Sequence, residues 1–357
     1  MVGQLKVKYL TPISMKKNTM MLAFSIFCFG ISFAQNETSR YKIAQKIKVE
    51  GDGSWDCIRS DDESGRLFVS HGTVVNVVDQ KDGKLLGTIP DCKGVHDIAL
   101  AHDLQKGFIS NGRDSSITVF DMKTLKTISN FKTAGVGQDI MLYDKFSKRV
   151  FVGNGRSNDI TVLDATTNKV VETIKLEGNP EFSLSDGKGK IYVNIESKSE
   201  IKVIDAKTCK VEQTWPLAPG EEPTGLAFDA KTMRLFSACS NKLLMVLDAE
   251  NGKIITKLEI GDGCDGAVFD AKKKRIYTSN GEGTITVIEE KDANTFVVLE
   301  NIATQKGAKT IALNEKTHHL FSPTAEFGPR PEATKENPHP RAKIVPGSFF
   351  IFDIESL

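Results

Sequence analysis

The chain has 357 residues, an apolar fraction of 39%, 26% charged residues and 29 glycines, which excludes global disorder and suits a folded chain rich in tight turns. Its formal net charge of +1 excludes the overall basic field that non-specific nucleic-acid binding relies on, so nucleic acid is not the expected partner. Length alone allows two ordinary domains or one large repeat domain, and self-similarity decides for the second.

The first unusual segment is Met15-Lys16-Lys17, followed by an apolar run from Met20 to Phe33 and small residues up to Ala34. A basic start, a short apolar stretch and small residues at the cut are the order of a secretory signal. The run of 14 residues is shorter than the ~20 a helix needs to cross a bilayer. Residues 1–34 are therefore expected to be removed after Ala34, with 1–14 as an upstream extension. That leaves no transmembrane anchor and a periplasmic or secreted protein. Cleavage takes away four lysines and no acid, so the net charge falls from +1 to about −3. Cys28 lies in the apolar run without the setting of a lipidation site. Of the cysteines beyond Ala34 (Cys57, Cys92, Cys209, Cys239 and Cys264), none forms CxxC or a CxxCH haem signal, and the odd number leaves at least one unpaired.

From residue 41 to 357 one unit recurs seven times. Its signature is a strand carrying an aromatic: Phe68, Phe108, Phe151, Tyr192, Phe236, Tyr277 and Phe321, spaced by 40, 43, 41, 44, 41 and 44 residues. That period belongs to four-stranded propeller blades. A second β-branched strand follows each aromatic and ends in an acid, as in Val162-Leu163-Asp164 and Val203-Ile204-Asp205, where turn chemistry favours Asp. Further strands are predicted over residues 169–176 and 253–260, and inner strands over 96–100, 225–228 and 310–313. The last repeat ends at its third strand, Ile351-Phe352-Asp353, while Tyr41 to Val49 has no partner in its own repeat. Pairing the two completes the seventh blade and leaves no long open edge. The expected fold is thus all-β: a seven-bladed β-propeller of four-stranded blades, closed by the N-terminal strand. Its seventh blade carries a proline-rich insertion over 322–347 that reads as a stiff, extended loop.

Ile191-Tyr192-Val193-Asn194 with Ile201-Lys202-Val203-Ile204-Asp205, and Val150-Phe151-Val152-Gly153-Asn154 with Ile160-Thr161-Val162-Leu163-Asp164, resemble the YVTN-repeat, or YncE-like, family of β-propellers. The resemblance covers residues 41–357. It implies the fold, and for function an exported binding module, with lactonases and redox enzymes among the relatives.

In such a blade the entry to the inner strand and the link between second and third strands share one rim around the central channel. The entries supply Trp55, Asp56, His96, Asp97, Gln138, Asp139, Glu181, Thr224, Asp265 and Lys309; the links supply His71, Asn111, Arg113, Asn154, Arg156, Asn194 and Asn280. Asn111-Gly112, Asn154-Gly155 and Asn280-Gly281 read as tight hairpins using positive φ at glycine. Arg113 and Arg156, equivalent in adjacent blades, read either as solvated arginines or as a clamp for a carboxylate or phosphate. The entry acids read first as acceptors for neighbouring blades' amides, and second as a carboxylate ring able to attract a cation. His71 and His96 beside Asp97 form the best local case for a general base or metal ligands, whereas His318-His319 reads as a solvated turn pair. The insertion is expected to bring Glu326, Arg330 or Arg341 over the channel.

The leading expectation is a binding module for a small polar or anionic ligand, or a periplasmic protein partner. Its ligand-binding residues are His71, His96, Asp97, Asn111, Arg113, Asp139, Asn154, Arg156, Glu181, Asp265, Lys309 and Arg330. No cofactor or metal is assigned, and a monomer is expected. The alternative is a metal-assisted hydrolase or lactonase-like enzyme using His71, His96 and the channel acids; GxSxG and a Gly-rich phosphate loop are absent.

Overall fold

The aromatic that marks each repeat is the seed of a blade. In the computed structural model, which describes residues 39–357 except 52, 336, 337 and 339, all seven aromatics are at most 2% exposed. Each packs against apolar residues of the adjacent blade: Phe68 shares a cluster with Ile98, Ile109 and Phe120, and Phe151 one with Ile191, Val193 and Ile204. β-branched alternation supplies the partner surfaces, and burying a Phe in such a seam contributes on the order of 3 kcal/mol. The predicted signal segment and its cleavage site lie outside the described residues.

Seven antiparallel four-stranded sheets result. Their inner strands are Ile58–Asp61, Val95–Ala101, Gln138–Asp144, Pro180–Ser185, Pro223–Asp229, Cys264–Asp270 and Ala312–Leu313, in blades 1 to 7. Tyr41–Lys48 pairs antiparallel with Phe350–Ser356, so first strand and last share blade 7. The predicted strands appear as Lys169–Lys175 and Ile254–Glu259 in the outer layer. The acids after the third strands cap their turns: the Asp121, Asp164 and Asp205 carboxylates accept amide hydrogen bonds from Thr124, Thr167 and Thr208 at 2.7–2.8 Å, and those bonds hold all three below the usual carboxylate range. Among the described residues no helix is long and apolar enough to cross a membrane. All five cysteines there are buried and free, and burial pushes Cys239 and Cys264 up to about 12.

Three expectations need correcting. Gly112, Gly155 and Gly281 do not take positive φ; the left-handed residues of those turns are Ser115 (58°), Asn158 (54°) and Gly283 (109°). His318 and His319 are not a free, solvated pair: both are partly buried and their Nδ1 atoms lie 2.6 Å from Asp270 and Asp353. The insertion begins later than 322, because Leu320–Thr324 is a strand that includes Pro323, and it folds back on itself through a Phe327–Ile344 bridge.

Candidate functional site

Strand register defines the site. In every blade one inner-strand residue faces the repeat's aromatic: Arg59, Ala99, Leu142, Leu184, Ala227, Val268 and Ala312. Three residues earlier stand Asp56, His96, Asp139, Glu181, Thr224, Asp265 and Lys309. All seven line one cavity of about 400 Å³, with Arg113 and Arg341 at its edge. Equivalent positions in a closed ring point to a common axis, so one offset in the sequence becomes one circle of side chains.

Charges alternate around most of this circle. His96 sits between its two neighbours, with Nδ1 2.7 Å from Asp56 Oδ2 and 3.3 Å from Asp139 Oδ1. Hydrogen bonds to Asp139 and Asp56 push the imidazole up to about 10, so it is a cation at neutral pH. Lys309 pairs with Asp265, and that carboxylate is still raised because burial outweighs the ammonium beside it. Glu181 has no cation beside it among the described ion pairs. Burial, with Asp139 and Asp265 nearby, pushes it up to about 9, so it is protonated at pH 7 and can donate a hydrogen bond. The orientation of His96 depends on a glycine: a Cβ on residue 112 would lie 2.7 Å from the ring's Cδ2 and Nε2 and 2.8 Å from the Gln138 carbonyl oxygen. Close approach, rather than turn geometry, is what Gly112 provides.

The channel is interrupted below the circle. Arg59 Nε donates to Asp97 Oδ1 at 2.7 Å, its Nη2 reaches Oδ2, and its guanidinium lies 5.1 Å from the centre of the Phe182 ring. Asp97 also accepts from the amides of Ile98 and Met141 at 2.7 and 2.9 Å. Beyond this plug, a cavity of about 360 Å³ is lined by inner-strand residues, apolar ones such as Leu184, Leu226 and Val268 together with polar ones such as Ser60 and Ser185. The plug escaped the sequence reading although its signal was present: among the inner-strand residues paired with the seven aromatics Arg59 is the charged one, where the other blades place Ala, Leu or Val.

Above the circle the insertion borders another, open cavity, about 760 Å³, bearing Lys306, Lys309, Arg330 and Arg341 and no acid. Trp55 and Phe327 form apolar walls, their rings 5.9 Å apart, and Trp55 also packs on Phe349 at 5.1 Å. Arg330 is steadied by donating from Nε to the Pro340 carbonyl at 2.8 Å. Ser54, Trp55, Lys309 and Arg341 border both cavities, which therefore adjoin.

Of the residues expected to form a site, the structure brings together His96, Arg113, Asp139, Glu181, Asp265 and Lys309, and places Arg330 in the adjoining cavity. The others lie elsewhere. His71 is buried, its Nδ1 3.0 Å from Asn76 Oδ1 and its ring tilted against that of Phe349 with centroids 4.5 Å apart. Asp97 is buried beneath Arg59. Asn111 and Asn154 are buried and tie their hairpins by donating to Thr118 and Thr161 at 3.0 and 2.9 Å. Arg156 is exposed and borders neither cavity, so it does not clamp a ligand with Arg113. Of the entry acids, Asp97 is the one bonded to a neighbouring blade's amide; Asp56, Asp139, Glu181 and Asp265 face the cavity instead. Glu326 uses its backbone in the loop's own pairing, accepting from the Val345 amide at 2.8 Å. Asp56 and Arg341, absent from the expected ligand-binding set, are both in the site.

No family model matches the chain, and no curated protein does. Solved structures share its fold: U3-55K with a TM-score of 0.70 at 9% identity, over 87% of this chain and 98% of that one. The RRP9 WD40 repeats give 0.71 at 9% identity, over 87% and 97%. Kuenenia stuttgartiensis hydrazine synthase gives 0.67 at 15% identity, over 83% and 97%. The chain is a seven-bladed β-propeller.

Proposed function

We propose that this chain is an exported, YncE-like propeller that binds a small polar molecule carrying an anionic group at the mouth of its channel. The observation that carries this reading is the pair of adjoining cavities: one basic with aromatic walls, the other a polar circle with mixed donors and acceptors, joined at Lys309 and Arg341. A carboxylate or phosphate is accommodated among Lys306, Arg330 and Arg341, while the polar body meets protonated Glu181 and the Thr224 hydroxyl. Arg341, which reaches both cavities, replaces Arg156 as the partner of Arg113. Export is supported by the order of residues 15–34, and YncE-like character by the repeat motifs around Tyr192 and Phe151. The hydrolase alternative drew on His71 and His96 together; His71 is buried against Phe349 outside both cavities, so that pair does not support it.

The test is a thermal-shift and calorimetric screen of small carboxylates and phosphate esters on the full chain. A bound compound should lose at least ~10-fold in affinity in Arg341→Ala, as expected when one charge-assisted contact is removed, and be unchanged in Arg156→Ala. Equal loss in both variants, or none in either, would refute the assignment.

A further inference from the structure

A second binding capacity is built into the circle itself. Among the described residues, Asp56, His96 and Asp139 are the one group of three whose carboxylate oxygens and imidazole nitrogen all lie within 4.8 Å of one another. The separations from His96 Nδ1 are 3.3 Å to Asp139 Oδ1, within the spacing of donor atoms around a single ion, and 2.7 Å to Asp56 Oδ2, which has to widen by roughly 0.3 Å to admit one. Ligands held at about 2.1 Å from a zinc-like ion stand roughly 3.0 to 3.4 Å apart. The three residues come from the inner-strand entries of three consecutive blades, so blade packing sets their spacing. Gly112 lets the imidazole turn its Nδ1 edge toward the carboxylates.

Charge points the same way. Asp56 and Asp139 line this side of the cavity, and among the described residues no lysine or arginine forms an ion pair with either of them. Lys309 is taken up by Asp265.

We propose that Asp56, His96 and Asp139 form a binding site for a divalent first-row transition ion of the zinc type, with its remaining coordination positions open to the cavity. One imidazole nitrogen with two carboxylate oxygens suits such an ion better than calcium, which takes oxygen ligands. Binding replaces the proton that Nδ1 shares with the two carboxylates, and that proton leaves to solvent. The site does not rest on the reading of an anionic ligand at Arg341, because zinc is offered alone.

The experiment is equilibrium dialysis of the chelator-treated full chain against Zn²⁺, with Ca²⁺ in parallel. About one bound Zn²⁺ per chain is expected, with at least ~10-fold weaker binding in His96→Gln and in Asp139→Asn, since even outer-shell changes weaken metal sites that much. Histidine NMR of the unmodified chain gives a reading that needs no variant to fold: zinc should move the His96 resonances first among the six histidines. No stoichiometric zinc, equal affinity in a folded variant, or a first response at another histidine would overturn the proposal.

Discussion

Two positions of the repeat, close in space, behave in opposite ways. The aromatic of the second strand is Phe or Tyr in all seven blades and is buried in every one. The entry position, three residues before the aromatic's cross-strand partner, holds Asp, His, Asp, Glu, Thr, Asp and Lys. The aromatic meets the same problem seven times, filling a seam between two sheets, and one solution serves. The entry position meets its six equivalents around an axis, where seven identical charges would repel; alternation of sign relieves that repulsion and gives the mouth an individual chemistry. Uniformity across blades therefore marks packing, and diversity marks the site.

Substitutions on either side sharpen that contrast. The largest effect is expected at the uniform position: Phe151→Ala should lower unfolding stability by about 3–5 kcal/mol through the cavity it leaves. Thr224→Ala, at the diverse position, should cost ~1 kcal/mol in the same urea titration. Equal losses would break the distinction.

Arg59→Ala should come close to the aromatic variant, at about 3–5 kcal/mol, because buried Asp97 would lose its counter-ion. Replacing both by Leu should recover most of the loss, since two well-packed apolar residues then fill the channel below the mouth. A double variant as unstable as the single one would show that the pair does more than neutralise a buried charge.

A third test concerns a buried acid far from the mouth. Glu290 is almost fully buried, and burial, aided by Asp229 but opposed by the hydrogen bond from Thr232, pushes it up to about 7. Its folded carboxyl holds a proton more tightly than the unfolded one, whose ordinary value is near 4.5. The stabilisation from proton binding is thus complete below about pH 4.5 and is lost as pH rises through about 7. Glu290→Gln should remove this loss and raise stability at pH 8 by on the order of 3 kcal/mol at most. An unchanged pH profile would assign that slope to other groups.

The smallest effect belongs to the turns: Asp205→Ala removes the acceptor for the Thr208 amide at 2.7 Å and should cost about 0.5–1 kcal/mol by thermal melting. A larger loss would mean that these caps contribute to blade packing as well.

How much of this was legible beforehand follows from the range of each interaction. The blade count, the aromatic seams, the turn acids and the closing strand repeat at a fixed period or complete it, so self-comparison reveals them. Most of the circle was legible for the same reason, since Asp139, Asp265 and Lys309 stand 12 residues before their aromatics and Glu181 stands 11 before Tyr192. Adjacent residues were harder: His96 faces the cavity and Asp97 the interior, because consecutive strand residues point to opposite sides. Asn111 and Asn154 lie on the expected rim but spend their amides on their own hairpins.

The amino-acid order by itself determined a closed ring of seven four-stranded blades, because local alternation and a steady period leave few other ways to bury seven aromatics. Only the tertiary structure decided which charges meet. Asp56 with His96, Arg59 with Asp97 and Arg341 with both cavities join residues 38 or more positions apart, and no spacing rule within a repeat governs such encounters. They are set by ring closure and by the path of one irregular loop, both of which exist only once the blades have packed.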